Sequence, residues 1–206
     1  MKQDHALTLP PLDVSRETLA RIEAFVPLLL RWNERINLIA PTTEAVLRQR
    51  HVADSLQLLP LIPPGEGAVG DLGSGGGFPG LVLAMALERS VHLVEADRRK
   101  AAFLQTAAGE LGLTHVRVHA ARIEAVSLPP LAVLTARALA PLERMLPWAE
   151  RLLAPDGVAI FPKGRSALEE MEAAALGWTM TAERFKSTTD AEASIFRLTR
   201  IRRAGA

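Results

Sequence analysis

Apolar residues between Ser15 and Ile36 recur at positions 19, 22, 26, 29 and 36, the spacing of one buried helix face. The pattern predicts a helix over 15–36, bent or interrupted at Pro27, whose ring removes a backbone donor. Thr42 or Thr43 can cap a second helix, carried by VLRQRHVADSLQLL to Pro60. Pro63, Pro64, Gly65 and Gly67 then break the chain. Beyond the break the pattern alternates. Short β-rich runs occupy 68–72, 91–95, 115–119, 131–135 and 157–162, and stretches of helical composition fill 79–88, 97–111, 141–153 and 165–176. This alternation predicts a parallel sheet covered by helices on both faces. At the end, WTMTAERFK and ASIFRLTRI are strand-like runs with no helix between them, so an antiparallel pair is expected to close the sheet. The expected fold class is α/β, mostly parallel and doubly wound, with a C-terminal antiparallel pair and an N-terminal helical extension. Residues 1–63 form the extension and 64–206 the core domain, packed as one compact unit.

Composition narrows the function more than the fold. The chain has 206 residues, 49% hydrophobic and 23% charged, enough for one well-buried domain. Cysteine is absent, which excludes disulfides, thiolate metal sites and a thiol nucleophile. That fits the cytoplasm. MKQDHALT lacks the apolar core of a secretory signal, and LVLAMAL is too short to span a bilayer, so no membrane association is expected. No metal site is expected, because His5, His92, His115 and His119 show no ligand spacing. The formal charge is only +1, so any contact with nucleic acid must rest on a local patch.

The candidate chemistry centres on GDLGSGGGFPG, residues 70–80, directly after the first strand and before a helix. Ligands of open parallel sheets bind at the carboxyl ends of strands. Glycine there lets a ligand lie against bare backbone, and Pro79 suits the first helical turn. No Gly-Lys-Ser/Thr follows, which excludes a P-loop. The dinucleotide pattern G-x-G-x-x-G matches from Gly75 to Gly80. Asp71, however, would face a pyrophosphate, whereas it suits a ligand carrying a cationic amine, as S-adenosylmethionine does. Glu95 ends the second strand, where an acid can accept from both ribose hydroxyls, a feature NAD and S-adenosylmethionine share. Glu124 can meet an adenine edge or merely favour a helix N-terminus.

Five ordered motifs then coincide: WNERINL (32–38), RHVADS (50–55), DLGSGGGFPG (71–80), TARALAPL (135–142) and FPKG (161–164). Together they closely resemble the RsmG family, also called glucose-inhibited division protein B, from about residue 15 to the C-terminus. The resemblance implies a Rossmann-like class I methyltransferase fold and S-adenosylmethionine as methyl donor, with S-adenosylhomocysteine as product. It implies transfer to N7 of a guanine in the decoding region of 16S rRNA, within the small ribosomal subunit. It places cofactor residues on Gly73, Phe78, Ile123, Glu124 and Arg137. With Asp71, Gly75, Gly77, Glu95, Ala96 and Asp97 these make the expected cofactor set. Glu95 stands where many relatives have Asp.

Guanine N7 already has a lone pair and no proton, so the reaction needs positioning rather than a general base. The chain agrees: TARALAP replaces the Asn/Asp-Pro-Pro-aromatic motif of amino methyltransferases. Arginine usually reads guanine through O6 and N7 together, but N7 must stay open here. The base is therefore expected to be unstacked and read through O6 or its Watson–Crick edge. Arg137, His51 and Asp54 are the candidate catalytic residues, and Arg50, His51, Lys163 and Arg165 the candidate substrate contacts. Arg50 and Asp54 are four apart, His51 and Asp54 three apart, so either pair can meet on one helix face, whether for rRNA or as an ordinary helix salt bridge. Lys163 is expected to touch phosphate or to be a solvated loop lysine. Arg98, Arg99 and Lys100 read as a solvated face. The arginines at 197, 200, 202 and 203 read as an RNA rim or as edge-strand protection. Trp32 is expected in the core, with Asn33 and Asn37 fixing the turn before Pro41. The expected protein is a monomer. An rRNA-binding assembly factor with a vestigial pocket, and an NAD-dependent oxidoreductase, are the alternatives. The oxidoreductase would need a proton-relay residue such as tyrosine, which is absent.

Overall fold

The structure, a computed structural model, describes residues 13–205. The leader residues MKQDHALT and His5 lie outside them. Helix α1 (Arg16–Asn33) starts at Ser15, whose hydroxyl accepts from the Thr18 amide. It buries Ile22, Phe25, Val26 and Leu29 and runs through Pro27 without ending there. It stops three residues short of Ile36 because Asn33 turns its side chain on the backbone. Asn33 Oδ1 accepts from the amides of Leu38 (2.8 Å) and Ile39 (3.0 Å). Asn37 is exposed.

The expected second helix is not one regular helix. A 3-10 stretch (Pro41–Val46) leads into a π-helical turn (Arg48–Ala53), a single α turn, α2 (Asp54–Leu56), and a further 3-10 turn (Leu59–Leu61). Neither threonine caps it; Thr43 Oγ1 instead donates back to the Ala40 carbonyl. The buried positions Leu47 and Val52 are five apart, the repeat of a π turn rather than an α turn. That wide turn swings His51 and Asp54 toward the sheet.

Among the described residues the sheet has seven strands in the order β3-β2-β1-β4-β5-β7-β6. They are β1 (Val69–Leu72), β2 (Val91–Val94), β3 (Val116–His119), β4 (Leu131–Ala136), β5 (Leu153–Lys163), β6 (Trp178–Lys186) and β7 (Ser194–Arg203). Strands β1 to β5 are parallel, and β7 runs antiparallel between β5 and β6. The C-terminal arginines thus sit on an interior strand; β6 is the edge. Arg197 pairs with Glu183, Arg200 bonds the Thr181 hydroxyl, and Arg203 lies over the Trp178 ring. Edge protection therefore does not explain them.

The chain crosses from the β3 side to β4 beside β1, a switch point whose carboxyl ends open a crevice. Helices α3 (Gly80–Ala86), α4 (Arg98–Glu110), α5 (Leu142–Leu152) and α6 (Ala167–Ala175) cover the sheet. Alternate strand residues feed two cores: Val69, Leu93, Val133 and Ile160 on one face, Leu72, Val94, Leu134 and Phe161 on the other. The first core also contains Phe25, Leu29, Leu38 and Leu58, so the N-terminal segment shares it with the sheet. Trp32 is half-buried against Phe103. Arg21 and Thr18 both donate to the Met85 carbonyl, tying α1 to the end of α3. Among the described residues no helix is long and apolar enough to cross a membrane.

Gly80 allows β1 and α3 to touch. A β-carbon there would lie 2.5 Å from Asp71 Cβ and 2.6 Å from Leu93 Cδ2, both fully buried. Gly80→Ala is expected to destabilise the protein by about 3 kcal/mol, read as a lower urea midpoint; an unchanged midpoint would contradict this packing.

Candidate active site

The glycine-rich loop is built on β1 and pinned to β2. The amides of Gly73 (2.8 Å) and Ser74 (3.1 Å) both donate to the Val94 carbonyl, and the Gly77 amide closes a turn onto Ser74 O (2.7 Å). Gly73 and Gly75 adopt φ of +66° and +53°, which disfavours side chains there. Around Gly75 a β-carbon would meet only the loop's own Gly73 carbonyl, at 3.8 Å. That face of the loop is bare backbone with open space beside it.

Glu95 shapes the loop's far wall. Its Oε2 accepts from the Gly75 amide and its Oε1 from the Asp97 amide, each at 2.8 Å. One backbone donor per oxygen fixes the carboxylate while leaving lone pairs for two further donors, such as a pair of vicinal hydroxyls. Asp97 is the N-cap of α4, accepting from the amides of Arg99 and Lys100, and these bonds hold its carboxyl below the usual range. Ala96 is exposed between the two acids. Ile123, half-buried, and Glu124, exposed, lie on a 3-10 turn (Ile123–Ala125) after β3.

Asp71 departs from expectation. It is fully buried, so it does not face an incoming ligand directly. Its Oδ1 accepts from Thr135 Oγ1 (2.8 Å), while among the described residues Oδ2 meets no hydrogen-bond partner. Burial pushes its pKa up to about 6, against the opposing pull of Ser74, Thr135, Gly80 and Arg137. A buried acid behind the loop still supplies negative potential to a cationic group held in front of it. Phe78 is likewise buried, its ring edge-on to Phe25 at 5.7 Å.

The second half of the site lies on the other side of Phe78. The His51 ring stacks on Phe78 at 4.9 Å, and the Arg137 guanidinium lies 5.3 Å from the same ring centre. Arg137 leaves the end of β4 and reaches the N-terminal segment. Its Nη1 donates to Asp54 Oδ2 (3.0 Å) and the Arg50 carbonyl (3.1 Å), and its Nη2 to His51 Nδ1 (2.8 Å). A guanidinium only donates, so His51 Nδ1 accepts. The ring proton therefore sits on Nε2 and points at Thr43 Oγ1, 3.1 Å away. Burial, then the Arg137 charge, pushes the His51 pKa down to about 4, and Asp54 only partly opposes them.

Arg50, His51, Asp54 and Arg137 line one cavity of about 590 Å3 with Lys163, Glu170, Thr189 and Asp190. The local pairings expected from spacing are replaced by distant ones. Asp54 takes Arg137 as its ion-pair partner, and Arg50 lies 3.7 Å from Asp190. Lys163 differs most. Its ammonium donates to the Ala140 carbonyl (2.6 Å) and Glu170 Oε2 (2.9 Å), with Met145 Sδ at 3.3 Å. All three donors are occupied, so the ammonium ties the 137–142 loop to α6 and has none left for phosphate. Arg165 is exposed, pairs with Glu192 and does not line the cavity. Gln57 and Thr189 carry no motif signal as lone uncharged polar residues, and Thr135, though it opens TARALAPL, shows its partner Asp71 only in the fold.

Linkage gives these groups opposite signs. His51 binds fewer protons folded than unfolded between about pH 4 and its ordinary value near 6.5. Its contribution is therefore present above that window and lost as pH falls through it. Asp71 binds more protons folded, so its contribution falls as pH rises from its ordinary value near 3.8 to about 6. In Arg137→Met the His51 titration, followed by NMR of the ring, is expected to move up from about 4 toward 6.5 without reaching it, because burial remains. A titration left in place would show that Arg137 does not act on the imidazole.

The family model of GidB, rRNA small subunit methyltransferase G, matches residues 18–197. The chain is 55% identical over 207 aligned residues to ribosomal RNA small subunit methyltransferase G of Acidiphilium cryptum, covering 93% of this chain and 95% of the relative. It is 50% identical to the protein of the same name from Granulibacter bethesdensis, covering 92% and 89%. Among solved structures, a SAM-dependent methyltransferase from Aquifex aeolicus matches with a TM-score of 0.59 at 13% identity, over 82% of this chain and 96% of that one. The O-methyltransferase from Bacillus cereus in complex with SAH matches with a TM-score of 0.56 at 15% identity, over 93% of each. At such identities the likeness is one of fold.

Proposed function

The chain belongs to the GidB family, rRNA small subunit methyltransferase G, and from that membership we propose that it methylates N7 of a guanine in small-subunit 16S rRNA, with S-adenosylmethionine as donor. Membership displaces the oxidoreductase alternative. The reading extends to a cytoplasmic monomer in which the helical segment up to residue 63 walls the acceptor side of the 64–206 domain.

The bare loop fits the donor. The open face of Gly75, the half-used carboxylate of Glu95 and the orphaned Asp71 Oδ2 behind the loop suit a nucleoside bearing vicinal hydroxyls and positive charge. When bound, S-adenosylmethionine supplies an electrophilic methyl on its sulfonium. Glu95 is the residue that would orient the ribose. The backbone of Gly73 to Phe78 would carry the rest of the nucleoside, with Ala96, Asp97, Ile123 and Glu124 along its rim. Arg137 stands at the boundary of the two halves.

One observation carries the choice of acceptor: the histidine and the acids that line the cavity are each already engaged by a cation or a backbone donor. His51 Nδ1 is occupied by Arg137, and its Nε2 carries the proton. Asp54 accepts from Arg137, Gln57 and Thr189. Glu170 accepts from Lys163 and the Leu142 amide, and Asp190 pairs with Arg50 and caps the Glu192 amide. An acceptor that must first lose a proton, such as a hydroxyl, would have to recruit one of these engaged groups. An aromatic nitrogen with a standing lone pair needs none. Arg50, His51 and Arg137 then hold the base and exclude water, while Phe78 keeps both halves in register.

The test is tritiated methyl transfer to unmethylated small ribosomal subunits, with the modified nucleotide located by chemical cleavage and reverse-transcription stops. Label at one guanine N7 is expected. Arg137→Lys should lower kcat/KM about 100-fold, because a point charge cannot hold three acceptors at once. Glu95→Gln should weaken donor binding about tenfold in calorimetry. Donor binding with no label in rRNA would favour the assembly-factor reading; label on an amino group or a ribose would refute the N7 assignment.

A further inference from the structure

We infer that Gln57 is a positioning residue for methyl transfer: its side-chain amide latches the β6–β7 loop onto Asp54 and so holds one wall of the acceptor cavity in place. The inference rests on the reading of that cavity as the acceptor site.

Gln57 is only 4% exposed, yet its amide is fully used. Nε2 donates to Asp54 Oδ1 (2.7 Å) and lies within reach of the hydroxyls of Ser187 (3.2 Å) and Thr189 (3.1 Å). Oε1 accepts from the Thr188 amide (2.8 Å), the Thr188 hydroxyl (3.0 Å) and the Ser187 hydroxyl (3.3 Å). The orientation is forced, since only the amino end can face a carboxylate and only the oxygen can face a backbone N–H. Thr189 closes the ring by donating to the same Asp54 Oδ1 at 2.7 Å. Asp54 thus has two donors, Gln57 and the loop's Thr189, on one oxygen and Arg137 on the other.

The consequence is mechanical. The loop brings Thr189 and Asp190 into the cavity lining, and Asp190 faces Arg50. Within itself the loop is held by Ser187 Oγ, which accepts from the amides of Thr189 and Asp190. Its side-chain anchor to the acceptor-side turn is Gln57, with Thr189 bonding directly to Asp54 and Asp190 paired to Arg50. Among the described residues, the Gln57 side chain forms its hydrogen bonds with Asp54 and the β6–β7 loop and none with residues 70–80, so the latch acts on the acceptor side and not on the donor.

Gln57→Glu keeps the shape and reverses one donor. A carboxylate oxygen would then face Asp54 Oδ1, in a setting charged by Asp54, Asp190, Arg50 and Arg137 with neutral His51 beside them. A protonated glutamic acid can again donate to Asp54 and accept from Thr188, so acid should restore the latch. At pH 8 we expect Gln57→Glu to raise KM for unmethylated small subunits about tenfold, with kcat and donor affinity close to those of the unaltered protein. The ratio to that protein should shrink toward pH 6, while the defect of Gln57→Leu stays flat. Trypsin cleavage after Lys186, an exposed residue at the end of β6, should accelerate in both variants. If either variant fails to fold, Thr189→Val at the half-exposed loop position should give the same KM and cleavage changes in weaker form. Unchanged cleavage would overturn the latch itself. Faster cleavage with unchanged KM would overturn the acceptor-site reading and the positioning role with it. An equal loss of donor affinity in Gln57→Glu would reduce Gln57 to a general structural residue.

Discussion

The guanidinium of Arg137 is the contact on which the site depends. It leaves the carboxyl end of β4 and makes three bonds to the N-terminal segment, on Arg50 O, Asp54 Oδ2 and His51 Nδ1. Side-chain exposure of 18% for Arg137 and 17% for Asp54 makes the pair largely buried. Removing one partner of such a pair strands the other charge, a cost of about 3–5 kcal/mol. The planar fork suits this work because it reaches several acceptors without rotating. Through it the helical extension becomes a wall of the cavity instead of an appendage.

Other features follow from that contact. The accepting role of His51 Nδ1 fixes the tautomer, and burial, with the Arg137 charge, keeps the ring neutral, so it can stack on Phe78 without desolvating a charge. Phe78 in turn belongs to the glycine loop, so the cavity beside Arg137 is referenced to that loop through one buried ring. Asp54, held by Arg137 on one oxygen, offers the other to Gln57 and Thr189, which brings in the β6–β7 loop. The helical extension, the end of β4 and the C-terminal hairpin thereby converge in one hydrogen-bonded set, joined to the glycine loop by the Phe78 ring. In-line methyl transfer conserves charge, so rigid placement of this kind contributes more than added electrostatic stabilisation.

Much was legible in the chain. Alternation of strand and helix patterns gave the parallel core, and the absence of a helix between residues 178 and 201 gave the antiparallel closure. Six glycines within residues 70–80 marked the loop, and the acid ending β2 marked its far wall. The extension resisted the same reasoning, because a helix was read where a π turn stands. A periodicity test assumes 3.6 residues per turn and cannot register a single wider turn. Lys163 suits either a phosphate contact or a solvated loop lysine by sequence position, which shows an ammonium at the sheet edge but not the carbonyl and carboxylate that occupy it.

The sequence by itself determined where the chain bends back on bare backbone, which strands end in acid or arginine, and what chemistry those groups can support. Those are properties of neighbours along the chain, set by glycine dihedrals and by period. Only the tertiary structure decided which partner each polar group takes. Asp54 meets Arg137 across 83 residues and Gln57 meets Thr188 across 131. A buried carboxylate, amide or imidazole satisfies its hydrogen bonds with whatever donor packing delivers. Burial, not spacing, also decided that Asp71 lies behind the loop and that His51 is uncharged, because desolvation acts on a group only after the fold has closed around it.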